Sequence, residues 1–149
     1  MTRDVFIKIK GLQLADGPES DEMEVITSGV YYEKDGISYV KYDEVMEGFD
    51  GTIRNLLKFS DEGLEVTKRG ITNVHMVFEE NKKNDTYYST PFGDLLVGIS
   101  TARIKLLRKE EKISIHVDYA LEINCEPLAD CKITIEIQFK DEKEAHLLS

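Results

Sequence analysis

The chain has no tryptophan, only three prolines and three histidines, and two cysteines in 149 residues. Each shortage removes a class of explanation. Two cysteines, Cys125 and Cys131, cannot form the dense disulfide framework of a small secreted scaffold. His75, His116 and His146 are dispersed, and no Cys-x-x-Cys or His-x-x-x-His spacing completes a zinc set. The expectation is therefore no metal and no other cofactor. There is no Gly-x-Ser-x-Gly elbow, and Gly48-Phe49-Asp50-Gly51 has neither the spacing nor the lysine of a phosphate-binding loop. Catalytic residues are expected to be absent.

Long apolar runs are missing too. No stretch approaches the ~18 residues of a membrane span. Polar residues interrupt Met1-Thr2-Arg3-Asp4-Val5-Phe6 too early for an export signal. Basic blocks are absent: 19 Lys and Arg stand against 29 Asp and Glu, for a formal net charge of -10. That balance repels phosphate, so neither nucleic acid nor an anionic membrane is an expected partner. These absences predict a soluble, cytoplasmic protein.

What is present is alternation. Ile113, Ile115, Val117, Tyr119, Leu121 and Ile123 share one parity, and Ser114, His116, Asp118, Ala120, Glu122 and Asn124 the other. Ile133, Ile135, Ile137 and Phe139 repeat the pattern, as do Val5, Ile7 and Ile9, and Val74, Met76 and Phe78. Successive strand side chains point to opposite faces, so each segment has one dry and one wet face, the mark of antiparallel sheet. Strands are expected at 3–13, 22–34, 37–44, 52–59, 63–68, 71–80, 86–90, 94–108, 112–124 and 132–140. Turn residues separate them: Asp16-Gly17-Pro18, Asp35-Gly36, Asp61-Glu62-Gly63, Arg69-Gly70, Asn81 to Asp85, and Pro127 in the last hairpin. Asp43 to Asp50 has room for one helical turn. The fold expected is all-β, an antiparallel up-and-down barrel of about 8–10 strands, which removes the edges of a long open sheet. Residues 1–149 form one domain, with 142–149 as a frayed tail.

Tyr87-Tyr88-Ser89-Thr90-Pro91-Phe92-Gly93 is the most unusual stretch. Proline second and glycine fourth in Thr90–Gly93 fit a type I turn, so the stretch reads first as a corner. Read functionally, Tyr88 and Phe92 would line a barrel mouth, and Phe49 would tip a loop that covers one. Next, Leu95, Val97 and Ile99 alternate with Gly98, Ser100 and Ala102. That row of small residues suits a bend, or the close approach of a ligand in an internal cavity.

Taken in order, Arg69-Gly70, Met76-Val77-Phe78, Tyr88-Ser89-Thr90-Pro91-Phe92-Gly93, Thr101 and Tyr119-Ala120-Leu121 resemble the YwiB-like family of uncharacterised bacterial proteins. The resemblance runs over nearly the whole chain. It implies a lipocalin-like, or calycin-like, β-barrel in a bacterial cytoplasm, and it implies no activity. The Gly-x-Trp signature of secreted lipocalins is absent, which argues against an extracellular carrier.

Within a barrel, Tyr42, Glu44, Arg69, Tyr88, Thr101 and Tyr119 are the candidate ligand-binding residues, because they are polar on otherwise apolar faces or at strand ends. An inward Glu44 needs a partner, and Arg69 or Arg54 is expected to supply it. Cys125 and Cys131 are expected as buried thiols facing one another across the ends of the last hairpin. The first function these residues suggest is a non-enzymatic module for a small apolar or amphipathic ligand. The second is a structural or protein-interaction barrel with a filled core, whose acidic surface suits a basic protein partner or which pairs as a homo-oligomer. A hollow interior favours the first and a packed one the second.

Overall fold

The computed structural model describes residues 2–11, 24–45, 48, 50–91 and 93–140. The Asp16–Pro18 turn, Phe49, Phe92, His146 and the tail at 142–149 lie outside the described residues. Ten strands account for nearly all of the rest: β1 (Thr2–Lys10), β2 (Glu24–Lys34), β3 (Ile37–Val45), β4 (Thr52–Ser60), β5 (Gly63–Arg69), β6 (Val74–Phe78), β7 (Lys82–Thr90), β8 (Gly93–Arg108), β9 (Lys112–Ile123) and β10 (Glu126–Phe139). Of the helical turn expected at Asp43–Asp50, the part up to Val45 is strand, because β3 runs on to Val45; residues 46, 47 and 49 lie outside the described residues.

Every strand pairs antiparallel with its neighbours, in the order β6-β5-β4-β3-β2-β1-β10-β9-β8-β7. The first and last strands in sequence meet in the middle, with Ile7 opposite Ile137 and Ile9 opposite Ile135. The sheet therefore curls so that β6 approaches β7, and the barrel is nearly closed. Two tight hairpins follow from residues that tolerate positive φ. Asp35 and Gly36 (φ 53° and 80°) make one, and Asn124 and Cys125 (52° and 68°) the other.

The second of these moves an expected turn. Pro127 lies inside β10, opposite Glu122, next to a bulge between Pro127 and Ala129. Proline is accepted there because β1 covers β10 only from Thr134 onward, so the missing N–H faces no second strand. The cysteines also differ from expectation. Cys125 sits exposed at the hairpin tip, while Cys131 is half-buried opposite Tyr119, and both are free thiols. The earlier turn places Cys131 along the strand rather than across a loop from Cys125.

The seam between β6 and β7 is stitched at its two ends. Asn73 and Ser89 exchange both backbone hydrogen bonds at 2.8 Å. At the other end the Lys82 N–H donates to the Glu79 carbonyl, and the Asn84 side-chain amide donates to the Val77 carbonyl. Six steps separate Glu79 from Asn73, whereas seven separate Lys82 from Ser89. One extra residue in β7 puts the ends out of step, and no ladder forms between them.

The interior is packed. Val5, Ile7, Val40, Leu57, Val66, Phe78, Val97, Ile133, Ile135 and Ile137 have no exposed surface at all. A cavity wide enough for water would leave some of their surface accessible, so the part of the core they bound is filled by side chains. Gly29 makes this possible on β2. A Cβ there would lie 2.6 Å from the Ile7 Cδ1 and 2.5 Å from the Lys41 carbonyl oxygen.

Candidate functional site

Polar side chains enter the apolar interior at both ends of the barrel. The upper end carries the connections that follow the odd-numbered strands. There Tyr42 and Glu44 project from β3, Asn55 from β4 and Lys68 from β5, on the same inward parity as Val40, Leu57 and Val66. The Lys68 Nζ donates to the Glu44 Oε1 and the Asn55 Oδ1, both at 2.8 Å. The Asn55 Nδ2 donates in turn to the Glu44 Oε1 at 3.2 Å and to the Ile53 carbonyl at 3.3 Å. Lys68 is 12% exposed and Glu44 30%, so the charges are sunk in the mouth without losing water entirely. This geometry satisfies the rule that an inward charge keeps a partner.

Two phenols flank the pair. Burial raises the Tyr42 hydroxyl well above the ordinary phenol range, and the nearby Glu44 carboxylate adds to the shift. Tyr88 on β7 is raised by the same two causes in the same order, offset by a hydrogen bond with Thr72. Both phenols are neutral at physiological pH; Tyr88 is hydrogen-bonded to Thr72, and the Tyr42 hydroxyl is available as a hydrogen-bond group rather than a base.

Three of the six candidate residues, Tyr42, Glu44 and Tyr88, therefore meet in one place. The partner of Glu44 is Lys68. Arg69 and Arg54 lie opposite one another on the outer face, both exposed, because each is one residue out of the inward parity. Thr101 and Tyr119 are cross-strand partners lower in the barrel, away from the Glu44 group. Tyr119 packs edge-on against Phe78 and touches Cys131, and burial raises its hydroxyl. The Thr101 Oγ1 is buried with no hydrogen-bond partner.

Lys68, Asn55 and Thr72 were not anticipated. Their inward parity was readable, Lys68 after Leu64 and Val66, and Asn55 between Ile53 and Leu57. The row Gly98, Ser100 and Ala102 does not line the interior as a ligand-binding row would. It faces outward, where Lys83 pairs with Glu122 at 2.7 Å over Gly98. Ser100 and Ala102, with Ala120, floor an open cleft of about 550 Å³ on the outer surface.

At the lower end the Tyr31 hydroxyl donates to Glu33 and meets Ser38 Oγ at 3.1 Å. The Arg108 guanidinium donates to that Ser38 at 3.2 Å and lies over the Phe59 ring. An open cleft of about 490 Å³ separates Arg108 from Glu33 and the β4–β5 turn at Asp61 and Glu62. Among the described residues, no helix is long and apolar enough to cross a membrane.

Residues 7–135 match the family described as Domain of unknown function (DUF1934). The crystal structure of the ywiB protein from Bacillus subtilis superposes with a TM-score of 0.76, at 23% identity over 94% of each chain. It shares the fold, as the resemblance implied. No curated protein matches the sequence.

Proposed function

This chain belongs to the DUF1934 family, and from that premise we propose that it is a non-enzymatic interaction module, a filled barrel that binds a partner at its surface. The observation that carries this reading is the core. Inward side chains from β1, β3, β4, β5, β6, β8 and β10 have no accessible surface, which leaves a small apolar ligand no chamber among them. The upper-mouth polar groups mostly satisfy one another, as expected of a structural network that ties β3, β4 and β5 together. Native mass spectrometry of the full chain, purified under gentle conditions from cells that make it, tests the reading. The expected spectrum shows protein without a small molecule. A stoichiometric small-molecule adduct overturns it.

A second reading has its own support. Lys68 directs two of its three N–H groups to Glu44 and Asn55, and the Tyr42 hydroxyl has no hydrogen-bond partner among the described residues. These groups suit the polar end of an amphipathic ligand seated in the upper mouth, with Tyr88 beside it. Any adduct found would then be lost in Lys68→Met and Glu44→Gln, and kept in Arg69→Met, whose side chain faces outward. Thr101 and Tyr119 belong to this reading only if the bound molecule reaches the middle of the barrel.

A further inference from the structure

The lower half of β8 has one strand neighbour, as do the upper ends of β2, β3 and β10. Strand β7 pairs with β8 only from Gly93 to Thr101, while β9 pairs with it down to Arg108. At the turn below, the Lys109 N–H donates to the Lys112 carbonyl. Backbone groups alternate along a strand, so Arg103, Lys105 and Leu107 direct theirs toward β9. Ile104, Leu106 and Arg108 direct theirs away, into the gap facing the β4–β5 turn. Among the described residues no strand fills that gap. The Ile104 N–H is taken instead by a side chain, the Glu80 carboxylate, at 2.8 Å.

An unpaired edge is a template for another strand, and native folds usually blunt it. Here the outward side chains of β8 itself are mostly basic, while Asp118 stands opposite Arg103 on β9 and Glu110 and Glu111 lie in the turn below. Arg103 and Lys105 point outward along β8, followed by Leu107 at 42% exposure and Lys109 in the turn. Neither Arg103, Lys105 nor Lys109 forms an ion pair among the described residues, although the chain carries a net charge of -10. On the inward side Ile104 and Leu106 are half-buried against the core.

We propose that the lower edge of β8, Ala102 to Arg108, docks an extended segment of an acidic protein partner by strand addition. The proposal rests on the interaction reading above and names its surface. Main-chain hydrogen bonds from Leu106 and Arg108 supply the register. Carboxylates on the partner's outward face meet Arg103 and Lys105, and its inward apolar side chains extend the row of Ile104 and Leu106. Glu80 shows within the molecule that a carboxylate reaches this edge. A second copy of the chain is the poorer occupant, because β8 against β8 would set Arg103 and Lys105 beside their own kind. The far side of the gap carries Asp61, Glu62 and Glu79, so a basic strand is the competing occupant the test must exclude.

The probe is a synthetic nine-residue peptide of alternating glutamate and valine, titrated against the full chain by fluorescence anisotropy at low and high salt. Binding is expected, at least about tenfold weaker at high salt and at least about tenfold weaker to the Arg103→Glu/Lys105→Glu variant. Methylating alternate peptide nitrogens on the valine-to-edge register is expected to abolish it, with the protein left intact. Circular dichroism confirms that the double variant is folded. Equal or tighter binding of a control peptide in which lysine replaces each glutamate overturns the proposal, as does binding indifferent to the double substitution. Absence of binding, with self-association of Arg103→Gln/Lys105→Gln, would mean that the cations only guard the edge, and also overturns it. If the peptide fails while the native mass stays that of protein alone, the edge assignment falls and the interaction reading stands. A stoichiometric small-molecule adduct removes that reading whatever the peptide does.

Discussion

The two walls of the barrel are built differently. On one side β9 is paired on both flanks along its length and β10 is flanked by β9 and, from Thr134 on, by β1, and Ile113, Ile115, Val117, Ile133, Ile135, Ile137, Val5 and Ile7 meet as a layer of branched aliphatic side chains. On the other side β6 has five residues and touches β7 through one bridge and a side-chain amide. The difference shows how a barrel divides its tasks. The aliphatic wall supplies stability through burial, and the seam wall tolerates mismatched register and a half-paired β8 because little of the fold's energy depends on it.

The largest effect that could break this comparison comes from the aliphatic wall. Ile135 has no exposed surface and faces Ile9 on one side and Ile115 on the other. Ile135→Ala is expected to cost about 2–5 kcal/mol, the usual range for a truncated core isoleucine. Leu106→Ala, half-buried on the open edge, should cost about 1 kcal/mol. Urea denaturation reads both, and equal losses would show that the walls do not differ.

Alkaline pH probes the burial of the tyrosines that face the core. The hydroxyls of Tyr42 and Tyr119 are raised above their ordinary value by burial. The folded state therefore holds the proton where the unfolded chain releases it. Stability is unaffected below pH ~10, the unfolded phenol value, and falls as the pH rises beyond it. Each tyrosine contributes about 1.4 kcal/mol per pH unit in that window. Stability measured from pH 8 to 11 should show the decline, and Tyr42→Phe or Tyr119→Phe should each flatten it. An unchanged slope in both variants would place the titrating groups elsewhere.

The upper mouth sharpens the contrast at smaller scale. Lys68→Met leaves the Glu44 carboxylate without its cation, but water still reaches it, so the cost should be about 1 kcal/mol rather than that of a fully buried charge. Glu44→Gln with Lys68→Met should restore part of that loss. A double variant worse than the sum would mean that the pair organises the mouth beyond its own hydrogen bonds.

Most of the fold was legible because period-2 alternation is a local signal. The strands expected at 112–124 and 132–140 match β9 (Lys112–Ile123) and the later part of β10 (Glu126–Phe139), which starts earlier because the turn lies earlier. That turn was misplaced because Pro127 is a stronger turn residue by composition than Asn124-Cys125, and only the absence of a second neighbour lets proline stay in a strand. The candidate site was half legible. Parity put Tyr42, Glu44 and Tyr88 inside, and it also places Lys68 with Leu64 and Val66, although Arg69 or Arg54 was the expected partner of Glu44. Arg69 and Lys68 are adjacent in sequence, and one residue of register sends one outward and the other to the carboxylate. The seam was not legible, since the extra residue in β7 matters only once Asn73 and Ser89 are paired across space.

That seam gives the smallest and most local prediction. The Asn84 side chain, donating to the Val77 carbonyl, is the contact that holds β7 to β6 between the hairpin and the far bridge. Asn84→Ala removes one half-exposed hydrogen bond, worth about 0.5–1 kcal/mol, and leaves the aliphatic wall untouched. Its readout is hydrogen exchange rather than global unfolding. The amides of Asn73 and Ser89, which close the upper end of the seam at 2.8 Å, should lose protection, while those of β9 and β10 keep theirs. Because the two ends of the seam are out of step by one residue, no alternative ladder is ready to take up the loss. Uniform loss of protection across all ten strands would mean that the seam is an integral part of one cooperative unit, and the division between the walls would not survive it.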